Sequence, residues 1–238
     1  MNQTQYSHTL TAAKARPDER ASFIRRTYAH LAVAILAFTG IEAMLLSSPN
    51  TTPLVEKMIG GRYSWLIVLG CFMGVSWLAN SLAQSRSNPG LQYLGLALFV
   101  VAEAVIFLPM LFIADKMTGS HEIAFTAGLM TLLLVAGLTA TVFITKADFS
   151  FMRNALAIGG LLVLGLIVIS IFTGFSLGLW FSGFMVAFAA GAILYTTSNI
   201  LHHYGTEDHV AAALALFASV AMLFWYVLRI LLAFANRD

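Results

Sequence analysis

Seven long apolar stretches run along the chain, separated by short polar stretches that contain helix breakers. Each is roughly 20 residues long, the length at which an α-helix crosses the hydrocarbon of a bilayer. None shows the strict alternation of apolar and polar residues that a β-barrel wall requires. The pattern predicts an all-α, polytopic membrane protein with seven spanning helices. Their approximate bounds are 27–47, 64–84, 91–114, 123–145, 154–173, 178–200 and 209–235.

Composition strengthens this prediction and excludes several classes of protein. Hydrophobic residues make up 59% of the chain and charged residues 10%, whereas a soluble domain carries about 25% charged residues. The net charge of +2 is small, and no basic stripe is interleaved with aromatics, so nucleic acid is not an expected partner. The single cysteine, Cys71, lies in an apolar stretch and predicts neither a disulfide nor a thiolate metal cage.

The sequence also lacks the motifs of the common enzyme classes. It contains no P-loop, no Gly-x-Ser-x-Gly and no His-Glu-x-x-His. The polar bend 202–209 is rich in histidine and acidic residues, but its spacing fits no known metal-ligand pattern. We therefore expect no enzymatic activity, no metal and no cofactor.

Residues 1–26 differ from the rest of the chain. They are polar and contain Pro17 and few large apolar residues, which is typical of a flexible segment. The apolar stretch that follows ends at Ser47 and Ser48 without a convincing cleavage site, so it is interpreted as a helix that stays attached. The predicted organisation is a flexible cytoplasmic segment, 1–26, followed by a seven-helix transmembrane domain, 27–238.

Positive charges in the loops predict the orientation, because they favour the cytoplasmic side. With the N-terminus inside, eight cations fall on the inner side and five on the outer side, so the C-terminus is predicted to lie outside. The inner set is Lys14, Arg16, Arg20, Arg25, Arg26, Arg86, Lys146 and Arg153, and the outer set is Lys57, Arg62, Lys116, Arg229 and Arg237.

Three ionisable residues lie inside predicted spans, where charges are costly and are functional candidates by default. Glu42 and Arg229 lie roughly 8 and 9 Å from the outer ends of their helices. This matching depth predicts a Glu42–Arg229 ion pair, with snorkelling of each charge to the surface as the alternative. Glu103 lies about 15 Å from either end of the third span. A carboxyl group there should be neutral or strongly hydrogen-bonded, and it could line one wet cavity together with Ser219.

Small residues repeat at four-residue spacing in two spans. Gly70 and Gly74 share one face of the second span, and Gly183, Ala187 and Gly191 share one face of the sixth. Such faces let helices approach closely in lipid. Packing within the bundle is the favoured interpretation, and a homo-oligomer through one of these faces is the alternative.

Several motifs taken together resemble the Bax inhibitor-1 family across nearly all of the chain. The most specific are the turn Thr145–Phe151, which contains Asp148, and the last two spans. The resemblance implies a seven-helix bundle with the last helix central. The motifs are Glu103 before a proline-containing stretch, Gly137-Leu138-Thr139, Thr145–Phe151, Ala192–Thr197, Ala213–Phe217 and Leu228–Leu231.

Within that family the chain resembles the bacterial YccA-like group, which implies an inner-membrane protein that binds and restrains the protease FtsH. The residues that carry this closer resemblance are Ile24–Tyr28, Leu36–Phe38, Thr197–Ile200 and Ala235–Asp238. Calcium-leak members of the family carry two aspartates, which share protons, at places where this chain has Thr196 and Ser219. Two neutral hydroxyls cannot act as a carboxylate pair and bind Ca²⁺ weakly.

The sequence therefore favours a membrane regulator that acts through contact with FtsH or its membrane partners. Its candidate functional residues are Glu103, Thr196, Ser219, Glu42, Arg229 and Asp148. The alternative is a pH-sensitive calcium or proton leak with Glu103 in its path.

Overall fold

The computed structural model describes residues 11–61, 63–85 and 88–235. Within these ranges the chain folds into eight helices and forms no β-sheet. The helices are α1 (Pro17–Leu46), α2 (Thr51–Ile59), α3 (Ser64–Ala83), α4 (Pro89–Thr118), α5 (Glu122–Thr145), α6 (Met152–Thr173), α7 (Gly178–His202) and α8 (His209–Ala235).

The seven predicted spanning helices are confirmed as helices that are long and apolar enough to cross a membrane. They are all of the eight except α2. Since they alternate in direction, the bundle has two faces. We call the end where α1 begins the amino face, and the end where α8 stops the carboxyl face.

The first helix begins at Pro17, ten residues before the boundary expected from hydropathy. Proline is favourable in the first helical turn because its missing N–H is unpaired there in any case. Asp18 and Glu19 suit the positive end of the helix dipole. Capping chemistry thus extends the helix beyond its apolar stretch, into the segment expected to be flexible. Residues 1–10 of that segment lie outside the described residues, as do Arg62, Arg86, Arg237 and the terminal Asn236–Asp238 motif residues.

The short helix α2 was not expected from the sequence, because its apolar stretch is too short to span a bilayer. It lies on the carboxyl face and buries Thr51, Val55 and Met58. Their spacing of four and three residues places them on one side of the helix. The helix is therefore amphipathic and packs against α3 and α4.

Helix α8 packs against α1, α3, α4, α5 and α7. It also has the largest share of buried residues of the seven long helices. These contacts support the central position that the family resemblance implies for the last helix. By contrast, α6 packs mainly on α7 and buries Val163 alone.

The closest helix approach is between α3 and α4, at a glycine that the sequence did not single out. A Cβ atom on Gly95 would lie 2.5 Å from the carbonyl oxygen of Ala79 and 2.6 Å from the amide nitrogen of Ala83. The expected packing face at Gly70 and Gly74 has nothing within 4 Å, so it is not used within the chain. A homo-oligomer through that face stays a prediction.

Candidate functional site

The last two spanning helices bring the predicted hydroxyl pair together. Thr196 Oγ1 and Ser219 Oγ lie 3.4 Å apart, and both residues are buried. Ser219 also donates to the carbonyl oxygen of Ala215, 3.1 Å away. Two neutral side chains therefore occupy the positions at which an acidic pair would carry charge.

A second polar cluster lies around this pair and was missed by the sequence analysis. The hydroxyl of Tyr28 on α1 approaches those of Thr139 on α5 and Thr197 on α7. All three oxygens are buried and lack a hydrogen bond of ordinary geometry to any described residue. Thr139 and Thr197 occur within motifs that the sequence did highlight. An apolar pattern cannot show which face of those helices turns inward, so their convergence was not foreseeable.

The motif turn that contains Asp148 is held against α7 by Ser198. Ser198 Oγ accepts a hydrogen bond from the Phe149 amide at 2.9 Å and lies 3.4 Å from Asp148 Oδ1. Asp148 in turn accepts from the Ser150 amide at 2.9 Å. Lys146 begins the turn with a φ of 52°, the left-handed conformation that ends α5. Asp148 is thus a turn-forming residue that connects α5 and α6 to α7.

The hydrogen bond from the Ser150 amide lowers the pKa of Asp148, and the nearby His203 and His202 act in the same direction. The group is exposed, so its effect is local. Because the folded pKa is depressed, the stabilisation of the turn is present above the ordinary aspartate range. It is lost as the pH falls through the folded pKa, below about pH 4.

We therefore expect hydrogen exchange at the Ser150 amide to accelerate, relative to its intrinsic rate, as the pH falls below about 4. Asp148→Asn keeps an oxygen acceptor, and should remove this dependence on pH. Ser198→Ala is the comparison variant, because it should expose the Phe149 amide equally at every pH. Ser150 protection that stays constant down to pH 3 in the native chain would contradict this role for Asp148.

The N-terminal residues that the structure describes dock onto the loop between α7 and α8. The amide of Ala12 donates to the carbonyl oxygen of Tyr204 at 2.8 Å, and Thr11 forms an isolated β-bridge with Gly205. Ala12 is fully buried. Burial also raises the pKa of Tyr204 to about 12. The amino face is therefore closed by a contact between the chain's beginning and its last helical hairpin.

Glu103 and Arg229 line one cavity of about 720 Å³. Its walls come mainly from α3, α4, α6 and α8, and they are apolar apart from a few side chains. Glu103 is 7% exposed and forms no hydrogen bond with a described residue. The wall contributed by α8 includes Ala218, whereas Ser219 is turned away from it. The expectation that Glu103 and Ser219 share a cavity was therefore wrong.

The expected Glu42–Arg229 ion pair is also wrong. Both carboxylate oxygens of Glu42 are buried without a hydrogen-bond partner among the described residues. Matching depth was not sufficient, because two helices can present residues at the same height on different sides. Arg229 faces the cavity that contains Glu103 instead.

No group of three or more His, Cys, Asp or Glu residues in the described part of the chain is arranged to hold a metal ion. What the fold defines is a multi-pass helical membrane protein. Its buried polar groups are concentrated on α7, α8 and the helices beside them.

Comparison with known proteins specifies this class further. The chain matches the family model described as "Inhibitor of apoptosis-promoting Bax1" over residues 20–236. It therefore belongs to the Bax inhibitor-1 family. No solved structure matches the chain significantly.

Two relatives match nearly the whole chain. An uncharacterized protein of Pseudomonas aeruginosa is 30% identical over 236 residues, which cover 97% of this chain and 96% of the relative. Bax inhibitor 1 of Schizosaccharomyces pombe is 26% identical over 98% of this chain and 85% of its own length. A third, the "Modulator of FtsH protease YccA" of Escherichia coli, is 37% identical over 101 residues, or 42% of this chain and 45% of the relative.

Proposed function

We propose that this protein is a regulatory protein of the bacterial inner membrane that binds the protease FtsH or a membrane partner of FtsH. Membership of the Bax inhibitor-1 family supports a regulatory rather than an enzymatic role. The local similarity to a relative named as a modulator of FtsH supports the choice of partner.

The observation that carries the proposal is the buried contact between Thr196 and Ser219. Their oxygens lie 3.4 Å apart, and neither side chain ionises in the physiological range. High-affinity Ca²⁺ sites use carboxylates, often together with carbonyl oxygens. A pair of hydroxyls in an apolar bundle therefore favours action by protein contact over a leak controlled by paired carboxylates.

The N-terminal segment is the proposed point of engagement. We place the amino face in the cytoplasm, because the cluster Lys14, Arg16, Arg20, Arg25 and Arg26 is there. A processive protease would engage residues 1–10 first. It would then meet the docked residues Thr11 and Ala12 and the packed bundle behind them. The resistance of that bundle to extraction is the proposed means of restraint.

Affinity purification from bacterial membranes tests this function. We expect FtsH to co-purify with the full-length chain. A chain lacking residues 2–10 should retain its fold, since every described residue remains, but should lose FtsH-dependent turnover. The matched control replaces residues 2–10 with a Gly/Ser segment of equal length, which separates the need for length from the need for sequence. Absence of FtsH from the full-length preparation would contradict the proposal.

The second candidate is a proton or cation leak, which the position of Glu103 favours. Glu103 lies near the middle of α4 and lines the large cavity. Reconstitution into liposomes with a pH or calcium dye tests it. For a leak, Glu103→Gln should abolish flux while Glu56→Gln, a change on α2, should leave it intact. Flux unaffected by Glu103→Gln at every pH would remove Glu103 from the path.

A further inference from the structure

Two apolar grooves meet at Arg229. The first is the cavity of about 720 Å³ described above. The second has a volume of about 390 Å³ and is lined by residues of the carboxyl-face half of α4, including Pro109 and Ile113, together with Leu232 of α8. Arg229 lines both of them.

A pair of tryptophans separates the grooves. Trp65 of α3 and Trp225 of α8 have ring centroids 6.2 Å apart and nearly parallel planes. Both line both grooves. The two grooves therefore diverge from the arginine on either side of an aromatic divider.

The shape and lining of the larger groove suit a hydrocarbon chain. It extends along α3 from Trp65 to Asn80, fifteen residues, or about 22 Å. Because α3 packs on α4 while α6 packs mainly on α7, the groove occupies the gap between α3 and α6. The exposed surfaces of α3 and α6 are apolar, so this gap lies within the lipid-facing part of the bundle.

The charge at the meeting point indicates the head of the ligand. Arg229 is about 9 Å from the end of α8, within reach of a headgroup at the carboxyl face. It forms no ion pair with any residue that the structure describes. Glu103, more than nine-tenths buried and without a hydrogen bond to the described residues, faces the same cavity deeper in the bundle.

We propose that Arg229 and the two grooves form a binding site for a two-chain anionic phospholipid, with its phosphate at Arg229 and one acyl chain on each side of the Trp65–Trp225 pair. Two grooves that diverge from one cation fit a diacyl lipid, whereas a fatty acid would fill one of them. The site is independent of any contact with FtsH.

Tryptophan fluorescence provides a direct test. The chain has four tryptophans, and the two outside the site, Trp77 and Trp180, are 73% and 94% exposed. In a Trp77→Phe/Trp180→Phe background, the remaining emission comes from the divider. This protein is reconstituted into phosphatidylcholine vesicles that contain a small fraction of bromine-labelled phosphatidylglycerol, or the same fraction of bromine-labelled phosphatidylcholine.

We expect the apparent affinity from quenching to be about fivefold higher for the anionic lipid, the effect of one arginine on an anionic lipid. Arg229→Gln should reduce this ratio to about one. Lys116→Gln removes a cation near the same face, outside both grooves, and should leave the ratio unchanged. Equal quenching by the two lipids in the parent protein, or equal effects of the two substitutions, would overturn the proposal.

Filling the larger groove gives a second arm that does not depend on charge. Gly160 lines that groove, and a Cβ atom there would meet nothing within 4 Å. Gly160→Leu should therefore fold and weaken quenching by the anionic lipid. Gly165→Leu is the matched control, because Gly165 lies on the same helix, also has open space and does not line the groove.

Two further outcomes identify a different occupant. If oleate restores the fluorescence at the same concentration as unlabelled phosphatidylglycerol, the site holds a single-chain ligand and the two-chain proposal is wrong. If lipid discrimination disappears when the protein is diluted within the vesicles, a second copy of the chain forms the site, which also overturns the proposal.

Discussion

Gly95→Val is expected to separate α3 from α4 and to leave little correctly folded protein. The new side chain would lie within 2.6 Å of backbone atoms of Ala79 and Ala83, which cannot move without displacing the helix. Overpacking of a well-packed core costs about 1–3 kcal/mol, and contact with backbone belongs at the upper end of that range. The measurement is thermal unfolding in detergent together with the yield of monodisperse protein.

Gly74→Val is the matched control for this substitution. Gly74 lies on α3, and a Cβ atom there meets nothing within 4 Å. The same glycine-to-valine change should therefore alter the unfolding temperature little. A Gly95→Val protein as stable as the Gly74→Val protein would show that the described α3–α4 approach is wrong.

Thr196→Asp/Ser219→Asp is expected to create a pH-dependent calcium leak in liposomes, where the parent protein shows none. The two oxygens already lie 3.4 Å apart, so the substituted carboxylates would be close enough to share a proton. Paired carboxylates also supply the hard oxygen ligands that Ca²⁺ prefers. Flux should be measured with a calcium dye across a range of pH, since two adjacent acids exchange protons with solvent as the pH changes.

Thr196→Asn/Ser219→Asn is the isosteric control. It has nearly the same volume and polar atoms but no ionisable group, so it should stay impermeable at every pH. Calcium flux through the parent protein, with Thr196 and Ser219 intact, would contradict the argument that neutral hydroxyls favour a regulator over a leak.

Several parts of the fold were predictable because they depend on local sequence. The seven long helices follow from apolar stretches of bilayer length, and the family follows from motifs such as Thr145–Phe151. The start of α1 was misplaced by ten residues because hydropathy does not register a capping proline. The helix α2 was missed because nine residues are too few to produce a spanning signal.

Contacts between helices were not predictable to the same degree. Depth along a helix can be counted from its ends, but the direction in which a side chain points around the bundle depends on how each helix is rotated. This is why Arg229 faces the cavity of Glu103 rather than Glu42, and why Ser219 is turned away from that cavity. Close approach at Gly95 rather than Gly74 has the same origin.

The sequence by itself determined that this is a seven-span membrane protein of the Bax inhibitor-1 family, with hydroxyls at 196 and 219. Hydrophobicity and residue identity are properties of the chain, so they can be read without its neighbours. Only the tertiary structure decided that Ser198 holds the Asp148 turn and that two grooves meet at Arg229. Those features arise where separate helices pack, and the rotation and tilt of each helix are set by all of its partners together.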